Sequence, residues 1–472
     1  MNRLDSSQRS RLRSLYGERV TFRRSERRLY GHDSVTAAPS SRPVIGETVP
    51  DAVVQPVNEG ELLELARWAS GEGVALTPRG LGTSRSGGAV PLRRGLVVDF
   101  RRLGRLIDVD PHSLTATVEP GIVWQWLDTE LAHAGFALRL YPTSYAGSTA
   151  GGWLAQGGTG LGAFEAGWFR DNVVSARIAV PAGGILELDE SNVDLVSDAE
   201  GTTGLVSRLT LRVAPIAEIA VAAAATANPA SLQELLENVI EADLPLWSVS
   251  FVDPGLAAFH GAGPEEFVVS FAYTRSWAPW VVSTLPWIVN DSAAWLLDDD
   301  LARREWDERF RTMRIRERIP SLVPAEIVVP LSALASVLDR IEGAIGRLVP
   351  KEAVLVRSPG AEPEVAIHAF IPVDASTGVS REMAVDDALE IVGIAERYGG
   401  RPYSTGIYFR DRAVNILGWE RLGRIEAFKG EVDPHGVMNP GKVMGLGTLT
   451  RTPISQAAAS WFGGRVDVLP RP

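Results

Sequence analysis

The sequence contains no cysteine among its 472 residues. This excludes disulfides, a thiolate nucleophile, a cysteine-ligated iron–sulfur cluster and a cofactor attached through cysteine. Any electrons that the protein removes from a substrate must therefore leave through another molecule.

Long apolar runs are also missing. The most apolar windows, 216–227 and 277–289, are interrupted by Glu218, Pro279 and Pro286 and are shorter than the roughly 20 residues of a membrane-spanning helix. The amino terminus lacks an apolar stretch before a small-residue cleavage site. We expect a cytoplasmic protein with no transmembrane segment, whose contact with membranes would be peripheral.

Acidic residues outnumber basic ones, with 58 Asp and Glu against 47 Lys and Arg, which gives a net charge of −11. Nucleic acid is thus not expected as a partner, because phosphate binding depends on clustered Lys and Arg. One local exception is the first 28 residues, which hold nine arginines. A solvated basic face is the favoured interpretation of this segment, and contact with an anionic surface is the alternative.

The composition is that of a globular protein with two or three domains, because 45% of the residues are hydrophobic and 22% are charged. Strand and helix patterns alternate from residue 52 to residue 213. An alanine-rich stretch at 215–229 indicates a domain junction. The second unit contains a tryptophan-rich segment at 277–306, and its alternating patterns predict an antiparallel sheet backed by helices. Individual predictions are strands at 52–55, 74–77, 96–100, 107–109, 115–118, 173–180, 185–188, 206–213, 246–252, 266–272, 326–330 and 365–372, and helices at 59–70, 123–134, 231–241, 331–348 and 383–398.

Two glycine-rich segments, 78–88 and 147–167, mix Gly with Ser and Thr. Glycine permits close approach of the backbone to a ligand, and successive N–H groups in such turns bind anions. Neither segment matches G-x-G-x-x-G or G-x-x-x-x-G-K-[ST]. A solvated connection is the alternative for one such loop, but two loops favour a long ligand bound in extended form.

Five ordered motifs are familiar: PDAVVQP at 50–56, the first glycine-rich segment ending in GGAVP at 87–91, STAGG at 148–152, EGTTGLV at 200–206 and VDPHGVMNPGK at 432–442. Together they resemble the FAD-linked oxidase family with a PCMH-type FAD-binding domain, in the branch that contains the flavin subunits of glycolate oxidase and D-lactate dehydrogenase. The resemblance implies an α+β fold, in which a two-subdomain FAD-binding domain at 1–218 is followed by an antiparallel-sheet cap domain at 219–429. A segment at 430–472 is expected to return to the FAD-binding domain.

The resemblance also implies where FAD binds. The first segment would hold the diphosphate, the second would line the flavin, the motif at 200–206 would meet the adenosine side, and the last motif would close the site. The predicted cofactor-binding residues are Arg79, Gly80, Gly82, Thr83, Ser84, Gly87, Gly88, Ser148, Gly151, Gly152, Gly157, Gly158, Glu200, Gly201, Gly204, Val206, Asn439 and Lys442. Family members that attach FAD covalently commonly carry histidine in the first segment. Because Leu81 and Thr83 stand there, we expect noncovalent FAD.

The substrate side departs from the family. Metal-assisted members carry H-x-G-D-G-N-x-H and G-E-H-G motifs, of which only His368 remains here, so no metal is predicted. A packed core residue is the alternative for this histidine. Arg309, in a W-x-x-R match with Trp306, is the candidate anchor for a substrate carboxylate, and a surface helix arginine is its alternative.

Tyr403 and Tyr408, with Arg410, resemble the phenol-binding side chains of vanillyl-alcohol oxidases. Buried strand tyrosines are the alternative for these two residues. The candidate catalytic residues are therefore Arg309, His368, Tyr403 and Tyr408.

The expected reaction is hydride transfer from a C–H that bears oxygen, in a 2-hydroxy acid such as glycolate or D-lactate, to flavin N5. Two alternatives stay open. One is a phenolic-alcohol oxidase of the vanillyl-alcohol oxidase type. The other is a flavin electron-transfer subunit whose substrate site has decayed. An iron–sulfur or other electron-acceptor subunit is a possible partner in addition to the small-molecule substrate.

Overall fold

The computed structural model describes residues 3–34, 48–261, 266–346, 348–373 and 380–444. The segment 446–472, whose role the sequence leaves open, is therefore outside the described residues. The described part contains three β-sheets, each with helices packed on it or joining its strands.

The amino-terminal part is a four-stranded sheet covered by helices. Asn58 begins the long helix by accepting a hydrogen bond from the N–H of Glu61 at 2.9 Å, and Gly73 ends it in the left-handed conformation. The sheet has the order β1-β2-β4-β3, in which β2 and β3 are parallel to β4. The elements are α1 (Ser6–Tyr16), β1 (Val20–Thr21), α2 (Arg24–Leu29), β2 (Ala52–Val54), α3 (Glu59–Glu72), β3 (Leu76–Arg79) and β4 (Leu96–Asp99).

A six-stranded antiparallel sheet follows, and its residues alternate between buried and part-exposed positions along the longest strand, β10. Its core contains an aromatic group in which Trp153 stacks on Phe169 at 4.4 Å. The elements are β5 (Leu106–Asp110), β6 (Thr115–Val118), α4 (Trp124–His133), β7 (Phe136–Leu138), α5 (Ala150–Gln156), α6 (Ala163–Ala166), β8 (Val173–Val180), β9 (Gly184–Asp189) and β10 (Leu205–Pro215).

The next part is an eight-stranded antiparallel sheet with helices packed on it, as predicted. Its order is β14-β11-β13-β12-β16-β17-β15-β18. The strands are β11 (Ile219–Thr226), β12 (Ser248–Val252), β13 (Phe267–Thr274), β14 (Ala294–Leu296), β15 (Leu322–Pro330), β16 (Lys351–Val356), β17 (Glu364–Pro372) and β18 (Arg401–Pro402). The helices are α7 (Pro229–Glu241), α8 (Pro254–His260), α9 (Ala278–Asp291), α10 (Asp299–Glu308), α11 (Leu334–Ile345) and α12 (Arg381–Arg397).

The chain then returns to the first two sheets. Helices α13 (Ala413–Leu417) and α14 (Trp419–Val432) share a buried cluster with Leu195 and Ala199. Met438 forms an isolated bridge with Leu76 of β3. We propose that the return begins near Ala413, earlier than the boundary at 430 expected from sequence.

Several boundaries differ from the sequence-based expectations. The helix expected at 331–348 starts as a 3-10 turn at Leu331–Ala333 and ends at Ile345, because Gly346 adopts a left-handed conformation. The strand expected at 74–77 is shifted to Leu76–Arg79. In the described part of the chain, no helix has the length and apolar character needed to span a membrane.

Candidate active site

A cavity of about 910 Å³ lies where both glycine-rich segments approach the eight-stranded sheet. This volume is at the upper end of the range for ligand sites, as a dinucleotide requires. Most of the residues predicted to bind the cofactor line it. They are Arg79, Gly80, Gly82, Thr83, Ser84, Gly88, Ser148, Gly151, Gly152, Glu200, Gly201, Gly204 and Val206.

The first glycine-rich segment presents a row of unused backbone donors to this cavity. Within the described residues, the N–H groups of 80–84 donate to no protein acceptor. They follow directly after β3, which ends at Arg79. Successive free N–H groups form a concave site for anionic oxygens, so the segment fits a diphosphate.

Arg79 supports this segment from within the protein. Its Nη1 donates to the carbonyl oxygen of His32 at 2.7 Å, and its guanidinium lies 5.4 Å from the centre of the Tyr30 ring. Burial lowers the pKa of Arg79. A Cβ on Gly82 would lie 2.1 Å from Arg79 Nη2, and Gly82 has a φ of +68°. Any other residue at position 82 would therefore have to displace the guanidinium and adopt a strained backbone conformation.

The two glycine-rich segments are joined to each other. Thr83 Oγ1 donates to the carbonyl oxygen of Gly147 at 2.6 Å. Thr149 begins α5 by accepting a hydrogen bond from the N–H of Gly152 at 3.3 Å. The bond from Thr83 to Gly147 therefore ties the two walls of the cavity together.

Five predicted cofactor residues lie beneath the cavity wall and do not line it: Gly87, Gly157, Gly158, Asn439 and Lys442. Asn439 Nδ2 donates to the carbonyl oxygens of Gly88 at 2.9 Å and Glu200 at 2.5 Å. Lys442 Nζ donates to those of Gly87 at 2.5 Å and Val90 at 2.8 Å. The carboxyl-terminal motif therefore holds the backbone at the end of the first glycine-rich segment, on the side away from the cavity.

Gly158 permits a close approach in the same region. It has a φ of +156°, and a Cβ there would lie 2.4 Å from Trp153 Nε1 and 2.7 Å from the Tyr403 hydroxyl. The second segment is thereby packed against a residue of the cap.

Glu200 and Lys442 are two buried titratable groups that influence each other. Burial raises the pKa of Glu200 to about 7, against the opposing charge of Lys442. Burial lowers the pKa of Lys442 to about 7, against the opposing charge of Glu200. Glu200 Oε1 also accepts a hydrogen bond from the N–H of Gly406 at 3.1 Å. The cavity wall thus contains a carboxyl group whose charged form is disfavoured by burial and stabilised by Lys442.

His368 stands between two glutamates in a row of side chains across three strands. It is directly opposite Glu326 of β15 and Glu352 of β16. Its Nδ1 is 3.3 Å from Glu352 Oε1, whereas Glu326 Oε1 accepts from Arg85 Nη1 at 3.0 Å. Nε2 of His368 has no hydrogen-bond partner among the described residues.

A second cavity of about 50 Å³ adjoins the first, and His368 lines both. Its wall contains Arg309 and the side chains of His260 and Glu305, whose Nδ1 and Oε2 atoms are 2.9 Å apart. The two cavities also share Thr143 and Thr159. A small chamber with basic and acidic groups therefore adjoins the larger site.

Arg309 is half-buried at this chamber. Its Nη1 donates to the carbonyl oxygen of Trp306 at 2.7 Å, and its guanidinium lies 4.4 Å from the centre of the Trp306 ring. Burial lowers the pKa of Arg309. Arg309 makes no ion pair with any carboxylate in the described ranges, so its charge is available to an anion.

The two candidate tyrosines differ in placement. Tyr403 lines the large cavity, and its ring meets that of His368 edge-on at 5.6 Å. Its hydroxyl donates to the carbonyl oxygen of Thr159 at 3.1 Å and accepts from the Thr159 N–H at 2.7 Å. Burial raises the pKa of Tyr403, so it is a poor proton acceptor. Tyr408 lines neither cavity, and Arg410 pairs with Asp411 at 3.5 Å.

Sequence reasoning missed Glu326, Glu352, His260 and Glu305. One signal was present, because Glu326 and Glu352 are charged residues within otherwise apolar strand patterns. Their position beside His368 depends on strand order and register, which one sequence does not reveal. Over the described ranges, no group of three or more His, Cys, Asp or Glu side chains is arranged to hold a metal ion.

Comparison with known proteins agrees with the geometry. A family model described as an FAD binding domain matches residues 50–189. The glycolate oxidase subunit GlcD of Bacillus subtilis (strain 168) is 23% identical over 434 residues, which cover 84% of this chain and 89% of that protein. A probable mitochondrial D-lactate dehydrogenase of Danio rerio is 24% identical over 447 residues, covering 85% and 86%.

The fold is also found in a solved structure of alkyldihydroxyacetonephosphate synthase. It superposes with a TM-score of 0.76 at 18% identity, covering 93% of this chain and 85% of that chain. The fold and the amide-lined cavity define a two-part flavoprotein with a cap. Residues 50–189 are an FAD-binding domain, the resemblance to FAD-linked oxidases is confirmed, and the protein is an FAD-dependent oxidoreductase.

Proposed function

We propose that this protein oxidises a small 2-hydroxy acid, such as glycolate or D-lactate, to the corresponding 2-oxo acid. One observation supports the proposal: Arg309 and His368 line the same small chamber, and that chamber shares His368, Thr143 and Thr159 with the wall of the FAD-sized cavity. An arginine that lacks a carboxylate partner and a histidine with a free ring nitrogen match the two functional groups of a hydroxy acid.

The size of the chamber supports a small substrate. A water molecule needs roughly 10–15 Å³ of cavity volume, so about 50 Å³ holds roughly four water-sized groups. This space is on the scale of a two- or three-carbon hydroxy acid, whereas a long acyl chain exceeds it.

The chain's residues then have separate roles. Arg309 binds the carboxylate, and the Trp306 ring beneath its guanidinium orients it. Glu352 holds Nδ1 of His368, so that Nε2 accepts the hydroxyl proton. Bound FAD supplies the acceptor, at its N5, for the hydride from the carbon that carried the hydroxyl. The free amides at 80–84 hold the diphosphate of the cofactor.

Anaerobic reduction of the purified FAD-loaded protein by a panel of hydroxy acids, phenolic alcohols and phosphorylated substrates tests the proposal. Arg309→Ala should weaken binding of a hydroxy acid roughly thirty-fold or more, because losing one partner of a desolvated charge pair costs about 2–5 kcal/mol. Flavin content should not change. Arg303→Ala, at an exposed position of α10, is the matched control. Full activity of the Arg309 variant, or reduction by phenolic alcohols alone, contradicts the proposal.

A second candidate is a phosphorylated substrate. Arg311, Arg314 and Arg316, from the turn after α10, all line the large cavity. A cluster of guanidinium groups suits a phosphate, and the solved structure with the same fold is named for an alkyldihydroxyacetonephosphate. Flavin reduction by the phosphorylated compounds alone would favour this candidate.

The reduced flavin must pass its electrons to an acceptor outside this chain. The chain has no cysteine for an iron–sulfur cluster, and the Bacillus relative is named as a subunit. We propose that a separate acceptor protein or small molecule reoxidises the flavin.

A further inference from the structure

The tryptophan-rich segment noted in the sequence lies outside the active site and forms an exposed aromatic surface. Trp277, Trp280 and Trp287 are 47%, 48% and 72% exposed. Trp280 and Trp287, seven residues apart, lie on one side of α9, whose buried residues are Val281, Leu285, Ile288 and Val289. Trp277 lies in the 3-10 turn directly before this helix. Trp277 and Trp280 already touch, with ring centres 5.9 Å apart. We call these three side chains the tryptophan stripe.

The stripe lies beside an open sheet edge. In the part of the chain that the structure describes, β14 is the last strand of the eight-stranded sheet and pairs on one side with β11. Two of its residues, Trp295 and Leu296, are 41% and 43% exposed. An exposed apolar edge strand is a template for pairing with another chain.

We infer that the tryptophan stripe and β14 form a two-fold interface with a second copy of this chain. A whole indole side chain has up to about 250 Å² of surface, so the stripe exposes roughly 400 Å². Two stripes in contact remove roughly 800 Å² from water, and adding β14 brings the contact to the about 1,000 Å² that a specific interface needs. A two-fold axis brings the same surface of each copy together.

The charges around the stripe favour a second copy over a lipid surface. Residues 278–290 contain no charged side chain, so no like charges meet where this part of α9 packs against the same part of a second copy. Two antiparallel α9 helices would bring Arg275 of one copy, which also pairs with Glu218 at 2.8 Å, toward Asp291 of the other. The acidic residues Asp298, Asp299 and Asp300 follow β14, and the net charge is −11. Anionic lipids are repelled by such a surface.

Mass measurement of the FAD-loaded, full-length protein tests this interface. Light scattering after size exclusion should give twice the 50.9 kDa of one chain. The double variant Trp280→Ser/Trp287→Ser should weaken dimerisation at least tenfold and elute as one chain with unchanged flavin content. The double variant Trp126→Ser/Trp419→Ser removes two indoles that are 70% and 80% exposed elsewhere, and it should remain dimeric.

The absence of cysteine permits a second test that does not depend on weakening the protein. Thr284 lies between Trp280 and Trp287 on the stripe side of α9. A Thr284→Cys variant should form a disulfide-linked dimer under mild oxidation, whereas Ser7→Cys, at an exposed position of α1, should not.

Three results would overturn the inference. One is a single-chain mass for the wild-type protein at about 100 μM, a concentration that populates even weak dimers. Another is a dimer that survives loss of Trp280 and Trp287 and leaves Thr284→Cys unlinked. A single-chain protein that floats with phosphatidylcholine vesicles through the stripe would assign the surface to membranes instead.

Discussion

At the residue scale, the position of Gly82 shows how a motif residue serves a cofactor indirectly. Its missing side chain leaves room for the guanidinium of Arg79, which binds the carbonyl oxygen of His32. The loop above can then turn its free amides toward the cavity. Asn439 and Lys442 act similarly, because they bind carbonyl oxygens on the far side of the same loop. The FAD site is thus held by a layer of buried polar side chains behind the backbone donors.

Gly82→Ala should therefore lose FAD. The added Cβ meets Arg79 Nη2 at 2.1 Å, and a φ of +68° is strained for alanine. We expect the ratio of flavin to protein absorbance to fall at least tenfold in the purified variant. Gly423→Ala, in α14 with no atom within 4 Å of the new Cβ, is the matched control and should keep its flavin. A Gly82→Ala protein that keeps its full content of FAD would show that FAD binding does not depend on the position of the Arg79 guanidinium.

At the element scale, the register of three strands assembles the catalytic row. β15, β17 and β16 lie side by side, and their pairing sets Glu326, His368 and Glu352 at one level. A shift by one residue would turn the histidine to the opposite face of the sheet. The histidine that looked isolated in the sequence therefore has carboxylates on both neighbouring strands.

Glu352→Gln should slow proton transfer without affecting substrate binding. The carboxylate of Glu352 positions Nδ1 of His368 and stabilises positive charge on the ring after it takes the hydroxyl proton. We expect the limiting rate of flavin reduction to fall about tenfold or more while KM stays the same, and Glu352→Asp to recover part of the rate. Glu364→Gln, on β17 and paired with Arg401 at 3.2 Å, is the control. An equal loss in both Gln variants would indicate a purely structural role.

At the scale of the whole molecule, the site lies between the two halves of the chain. The large cavity takes residues from the glycine-rich segments and from the eight-stranded sheet, and Arg85 of one half pairs with Glu326 of the other. Stacking of Phe310 on Tyr145, with ring centres 4.4 Å apart, adds a second link. Contacts of this kind close the site only when both halves are folded and docked.

FAD should be held there without a covalent bond and without a metal. His368 is the histidine that lines the large cavity among the described residues, and its Nδ1 contacts Glu352. Acid precipitation should leave the yellow colour in the supernatant, and EDTA should not change the rate of flavin reduction. Colour that stays with the pellet would show a covalent bond. A rate lost with EDTA and restored by zinc or manganese would show that a metal takes part.

The sequence by itself indicated the class of fold, the cofactor and the order of its binding motifs, because five short motifs together resemble those of FAD-linked oxidases. Such motifs, like strand and helix periodicity, are properties of short segments. Thr83, Ser148 and Glu200 were therefore expected at the FAD site, and they line the cavity.

Tertiary structure alone decided the substrate side and the surface of the cap. Glu352 is 16 residues from His368 in the chain but contacts it across paired strands, and Arg309 reaches the same chamber from a separate helix end. Burial decided that Tyr403 is held by Thr159 and that Lys442 and Glu200 influence each other. The exposure of Trp280 and Trp287 likewise depends on which side of α9 packs on the sheet. Strand order, register and burial are long-range properties, which no local pattern contains.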